Sequence, residues 1–117
     1  MNTDKLLKEI VRSIQNKKGK DLVVLDVKGL SPITDYIVIT SGDVPIHTQA
    51  IADEILKNLK EKGELPLNVE GLSEGRWIVL DYGDVMVNLF IPELREYYNL
   101  EWLWADAPMV NLEEKEN

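Results

Sequence analysis

Near the N-terminus, apolar positions recur at helical spacing: Leu6, Leu7, Ile10, Val11 and Ile14 share one face. Thr3 or Asp4 is the expected N-cap, and Lys17, Lys18 and Gly19 close the helix with positive charge and a C-terminal glycine. The pattern then changes to β-branched runs of strand length, Leu22 to Val27 and Tyr36 to Thr40, separated by Gly29 and Ser31-Pro32. Both runs are apolar at nearly every position, which predicts strands covered on both faces. After Ser41-Gly42-Asp43, Pro45 opens a second helix. Its expected buried stripe is Ala52, Ile55, Leu56 and Leu59, with Asp53 and Lys57 on the wet side and Gly63 at the end.

Leu67 to Glu70 predicts a short strand, followed by a loop from Gly71 to Gly75. Trp77 to Leu80 and Val85 to Phe90 predict two strands joined by the hairpin connection Asp81-Tyr82-Gly83-Asp84. Pro92-Glu93 opens a short helix carrying Arg95, Tyr97 and Tyr98, and Leu100 to Trp104 either continue it or form a second turn. The expected fold class is α+β, a single layered domain in which helices pack on a mixed β-sheet of about five strands. Residues 1–108 form the domain, and 109–117 read as a polar, flexible C-terminal tail.

Composition narrows the chemistry. The 117 residues suit one domain, and the absence of Cys removes disulfides, thiolate metal sites and Cys nucleophiles while fitting a reducing compartment. The single His, His47, lies at the start of the second helix and reads as a capping or solvent-facing residue. It cannot build a multi-histidine site or serve Ser13, Ser31, Ser41 and Ser73 as the base of a triad. Net charge is -8, unevenly spread: residues 1–20 hold six basic and two acidic side chains, +4, which leaves -12 on the rest. An acidic surface repels nucleic-acid phosphates and suits a basic partner protein, although the basic helix face could still touch RNA. Asp4 and Glu9 interrupt Lys5, Lys8 and Arg12, and no apolar core follows, so the segment reads as a wet helix face rather than a targeting peptide. No run approaches the ~20 apolar residues of a membrane span.

Two features carry candidate chemistry. Ser41-Gly42, at a strand-to-helix turn, is the one place where backbone amides could cradle an anion. A nucleotidyl transferase would add converging carboxylates, yet Asp26, Asp35, Asp81 and Asp84 lack the alternate spacing that puts two on one strand face. Asp81 and Asp84 flank a Gly-containing turn and read first as turn-forming residues. The aromatics are more telling: Trp77, Trp102, Trp104, Tyr82, Tyr97 and Tyr98 all fall between residues 77 and 104, divided between core and interface. Trp, Tyr and Arg dominate interface hot spots, and adjacent Tyr97 and Tyr98 cannot both point inward from a helix.

The ordered segments Glu70-Gly71-Leu72, Glu74-Gly75-Arg76-Trp77, Leu80-Asp81-Tyr82-Gly83-Asp84-Val85 and Arg95-Glu96-Tyr97-Tyr98-Asn99-Leu100-Glu101 resemble the ribosomal silencing factor (Iojap-like) family. Asp35-Tyr36, Ser41-Gly42, Ala50-Ile51-Ala52-Asp53 and Leu103-Trp104-Ala105-Asp106-Ala107-Pro108 agree, so the resemblance covers roughly residues 3–108. It implies a cytoplasmic, non-enzymatic protein with no cofactor. Such a protein binds the large ribosomal subunit through the ribosomal protein L fourteen and sterically blocks joining of the small subunit. The consequence is repressed translation when nutrients are scarce, together with a role in large-subunit maturation. The implied fold is nucleotidyltransferase-like without the catalytic carboxylates, so a nucleotide-binding protein or enzyme is the alternative. The implied contact residues are Trp77, Leu80, Asp81, Tyr82 and Asp84, with Asn88, Arg95, Tyr97 and Tyr98 behind them. A minor ribosomal RNA contact through Lys5, Lys8, Arg12, Lys17, Lys18 and Lys20 is compatible, and the protein is a monomer or homodimer. The chain departs from the family pattern at Val44-Pro45-Ile46, where a polar stretch is usual, and at Asn88 and Ile91, where His is usual.

Overall fold

The computed structural model describes residues 1–112, and its elements follow the predicted order. They are α1 (Thr3–Asn16), β1 (Lys20–Asp26), β2 (Tyr36–Ser41), α2 (Pro45–Glu61), β3 (Asn68–Glu70), β4 (Trp77–Asp81), β5 (Val85–Phe90), α3 (Pro92–Tyr98) and α4 (Leu100–Leu103). One mixed sheet runs in the order β1-β2-β5-β4-β3, with β2 and β5 parallel and the other neighbours antiparallel. The main core lies between the sheet and the α1–α2 layer, where Leu7, Ile10, Ile14, Ile51, Ile55 and Leu59 meet Val38, Ile78, Leu80, Val87 and Leu89. A smaller core on the other face gathers Leu25, Val27, Ile37, Ile39, Phe90 and Ala107.

Several local expectations change. Asn2, not Thr3 or Asp4, caps α1, because its side chain accepts from the Lys5 N–H. At the C-terminus Lys18 takes the left-handed conformation (φ 58) and the Gly19 N–H closes on the Ile14 carbonyl at 2.9 Å. Gly19 is instead needed for close approach, since a Cβ there would sit 2.5 Å from Ile14 Cγ2. In α2, Thr48 and Ile51 complete the buried face and Leu56 is only half-buried. Asn99 is left-handed (φ 46), so the helix breaks there and Leu100–Leu103 form a separate turn.

β2 is buried at every position, as predicted, but β1 is an edge strand whose first residues are exposed. Its outer edge is covered by residues at and beyond the expected domain boundary. Asp26 N–H donates to the Pro108 carbonyl and Val110 N–H to the Val24 carbonyl, both at 2.9 Å, while Met109 bridges Leu25. Val110 and Leu112 pack against the main core. The packed domain therefore extends past 108 to Leu112, because a sheet edge leaves unpaired backbone groups that this segment satisfies. The remainder of the expected tail, 113–117, lies outside the described residues.

Candidate functional site

Strand alternation sorts the predicted contact residues onto opposite faces. On β4, Ile78 and Leu80 point into the α1–α2 core, while Trp77, Val79 and Asp81 point to the other side. On β5, Val85, Val87 and Leu89 face the helices and Met86, Asn88 and Phe90 face away. Register aligns these outward residues into rows: Asn68, Asp81, Met86 and Ile37 in one, Glu70, Val79, Asn88 and Ile39 in the next. Leu94, Leu100 and Trp104 cover part of this second face, where Ile37, Ile39 and Phe90 are buried. The part that stays accessible is a half-buried surface of Trp77, Val79, Asp81 and Met86.

Two predicted contacts fall on the wrong side. Leu80 is fully buried and Tyr82 is 9% exposed, both within the core under the helices, so neither side chain is available to a partner. Among the described residues, the buried Tyr82 hydroxyl has no hydrogen-bond partner. Burial first, and the Glu64 carboxylate second, push its ionisation up to about 12.

Asn88 and Arg95 position their neighbours. Asn88 is buried, and its Oδ1 accepts from Trp77 Nε1 at 3.1 Å, fixing the indole across the strand pair. The Arg95 guanidinium donates to the Lys20 carbonyl (3.3 Å), the Asp21 carbonyl (2.6 Å) and Ser41 Oγ (3.0 Å), and pairs with Glu101 at 3.1 Å. It fastens α3 and α4 to the β1–β2 end of the sheet. That seat places Tyr98 on Trp77, with ring centroids 4.5 Å apart, and Trp77 stacks in turn on Phe90 at 5.0 Å. Tyr97 stands edge-on to Tyr98 and is 78% exposed. Among the hairpin carboxylates, Asp81 Oδ1 accepts from the Gly83 N–H at 2.8 Å, the turn chemistry expected of it. Asp84 is exposed and accepts from Thr3 Oγ1 at 2.8 Å.

In the Ser41-Gly42 turn the Gly42 and Asp43 amides are already bonded. Gly42 N–H donates to the Phe90 carbonyl at 2.9 Å, and Asp43 N–H donates to His47 Nδ1 at 2.9 Å. His47 Nε2 in turn lies 2.7 Å from the Lys17 carbonyl, so the imidazole caps this turn and ties it to the end of α1. The Asp43 carboxylate itself supplies the local anion. Its hydrogen bond to Lys20 Nζ, at 2.6 Å, holds its ionisation below the usual carboxylate range and raises that of the lysine. A Cβ at Gly42 would meet Thr48 Oγ1 at 2.6 Å, so the glycine serves a close approach of turn and helix. Among the described residues, no three carboxylate or imidazole groups gather in a way that could hold a metal ion.

Val79, Met86, Ile33 and Leu100 belong to the open face and were missed in sequence. The signal for Val79 was present: period-2 alternation admits Trp77 with Val79, or Leu80 with Tyr82, but not Trp77 with Leu80.

These features define a class: an α+β domain with one sheet, one face sealed by two helices and the other covered in part, leaving an aromatic, acid-bordered surface. Comparison with known proteins gives the family. The model described as "Ribosomal silencing factor during starvation" matches residues 1–117, and the chain belongs to this ribosomal silencing factor family. It is 42% identical over 113 residues to the Ribosomal silencing factor RsfS of Halalkalibacterium halodurans, covering 97% of each chain. It is 32% identical over 99 residues to the mouse Mitochondrial assembly of ribosomal large subunit protein 1, covering 82% of this chain and 43% of that one. Its fold is similar to the crystal structure of a Chromobacterium violaceum protein, with TM-score 0.87 and 31% identity over 90% of this chain and 88% of that chain.

Proposed function

We propose that this protein binds the large ribosomal subunit in the cytoplasm through the ribosomal protein L fourteen and blocks joining of the small subunit by occupying its docking surface. Translation is thereby repressed when nutrients are scarce, and the same attachment serves large-subunit maturation. No reaction is involved, only occupancy. The observation that carries this reading is the open sheet face, where an aromatic stack of Trp77 and Tyr98 adjoins half-buried Val79 and Met86. Aromatic anchors in a desolvated patch supply interface energy, and neighbouring carboxylates steer a basic partner into register. Asp81, Glu70 and, at the hairpin tip, Asp84 are those carboxylates, and a ribosomal protein is the basic partner. The family membership and the large-subunit assembly named for the mouse relative support the same direction.

Lys5, Lys8 and Arg12 on α1 are exposed on the helical layer, away from the open face, with Asp4 among them, and α2 adds Lys57 and Lys60 beside Asp53 and Glu61. Once the sheet face is seated, this layer provides the minor ribosomal RNA contact. The test is co-sedimentation of the purified protein with isolated large and small subunits, followed by a subunit-joining assay. Binding to the large subunit alone, with joining suppressed, is the expected result. Absence of binding at moderate salt would refute the proposal.

A further inference from the structure

Beside Trp77 the open face sinks into a cavity of about 270 Å³, walled by Ile37, Trp77, Val79, Met86, Leu100 and Trp104. The polar side-chain oxygens that reach it are already bonded within the protein. Asn88 Oδ1 accepts from Trp77 Nε1, Thr34 Oγ1 donates to the Tyr36 carbonyl at 3.3 Å, and Ser31 Oγ accepts from the Ile33 N–H at 3.1 Å. Few polar groups remain open to a ligand that depends on hydrogen bonds, the Asn88 amide nitrogen among them, whereas an apolar group exchanges water for carbon on most sides. The space is ample, since an apolar protein cavity of about 150 Å³ already accommodates benzene. Carboxylates stand at one border: Glu70 is paired across the sheet with Val79, and Asp81 with Met86. Their charge selects what flanks the inserted group.

We propose that this cavity receives one bulky aliphatic or aromatic side chain of the ribosomal protein bound at the open face, from a segment in which Lys or Arg flanks that side chain. The inference rests on the function proposed above and adds the anchor that gives the contact its specificity. A knob seated in a preformed pocket, ringed by groups that exclude water, is where interface energy concentrates. Trp77, held by Asn88 on one side and Tyr98 on the other, forms a wall that needs no rearrangement on binding.

The test uses two variants, one that fills the cavity and one that makes its exposed rim polar. Val79→Phe places a ring in the space the knob would take, and large-subunit affinity should fall at least tenfold while the thermal midpoint stays within a few degrees of wild type. Ile33→Asp is the second variant, because Ile33 lines the cavity yet is 75% exposed, so the substitution cannot unfold the core. It should also weaken binding tenfold or more. If wild type binds the large subunit and both folded variants bind equally well, the cavity is not the anchor and this inference falls while the proposed function stands. Should Val79→Phe fail to fold, Ile33→Asp decides alone. If wild type itself does not bind, the proposed function fails and the inference fails with it.

Discussion

Tyr82→Phe should stabilise this protein and leave ribosome binding untouched, a result that probes both the core and the sorting of residues between sheet faces. The Tyr82 ring is 9% exposed among core residues, and its hydroxyl is buried with no hydrogen-bond partner among the described residues. Burying an unpaired hydroxyl costs about 1–3 kcal/mol. Removing it while keeping the ring recovers part of that cost, so a gain of about 1 kcal/mol is expected. For a domain of this size that corresponds to about 4 °C in the thermal midpoint.

The pH dependence gives an independent magnitude. Burial raises the phenol from 10.0 in the unfolded chain to about 12 in the folded one. The folded state thus holds the proton more tightly, so this contribution to stability is complete below pH 10 and is lost as pH rises through 12. Two pH units correspond to at most about 2.7 kcal/mol. Denaturant unfolding of wild type and variant between pH 8 and 11.5 measures it, and the difference between them removes the other tyrosines from the comparison. The variant should be the more stable at pH 8, and its advantage should widen by about 2 kcal/mol across the alkaline range. A variant destabilised by more than about 1 kcal/mol, or an advantage that does not change with pH, would refute the reasoning. Impaired large-subunit binding by a stable Tyr82→Phe protein would show that the face assignment is wrong.

Asp84→Lys changes an exposed carboxylate that accepts a hydrogen bond from Thr3 Oγ1. It should weaken large-subunit binding in co-sedimentation, with a stability loss of no more than about 1 kcal/mol by denaturant unfolding. Arg95→Ala removes the guanidinium that joins α3 and α4 to β1 and β2, at a cost of about 2–3 kcal/mol. Amide hydrogen exchange should accelerate over residues 92–104 while β4 and β5 keep their protection; uniform acceleration would contradict a local anchor. Gly71→Ala should be among the most damaging single changes, because Gly71 has φ 77 and an added Cβ would run into the Trp77 carbonyl. A loss above about 2 kcal/mol is expected, and a near-neutral thermal midpoint would refute the close approach.

Much of the architecture was legible because local patterns and tertiary packing agree. Proline marks the first turn of α2 and of α3, and Gly63 ends α2 in the left-handed conformation. Boundaries were lost where side chains compete for the same backbone group, as at Asn2, whose carboxamide takes the cap expected of Thr3 or Asp4. In the candidate site, Trp77 and Asp81 share the open face as their spacing requires, whereas alternation sends Leu80 and Tyr82, which the family resemblance placed beside them, to the core. Arg95 resembled a hot-spot cation, yet its donors are consumed by carbonyls roughly 75 residues away in sequence.

The sequence by itself determined the succession of helices and strands, the α+β class, the acidic balance with its basic N-terminal helix, and the family. Each of these is written in residue type and short-range spacing, which report the period of a segment and the chemistry it carries. Only the tertiary structure decided which face each aromatic takes, that Met109 and Val110 cover the β1 edge, and that the Gly42 and Asp43 amides are occupied. It also decided that Trp77, Val79, Met86 and Trp104 enclose a cavity. Those outcomes depend on strand order and on hydrogen bonds between residues distant in the chain, and no local pattern encodes which distant group will arrive.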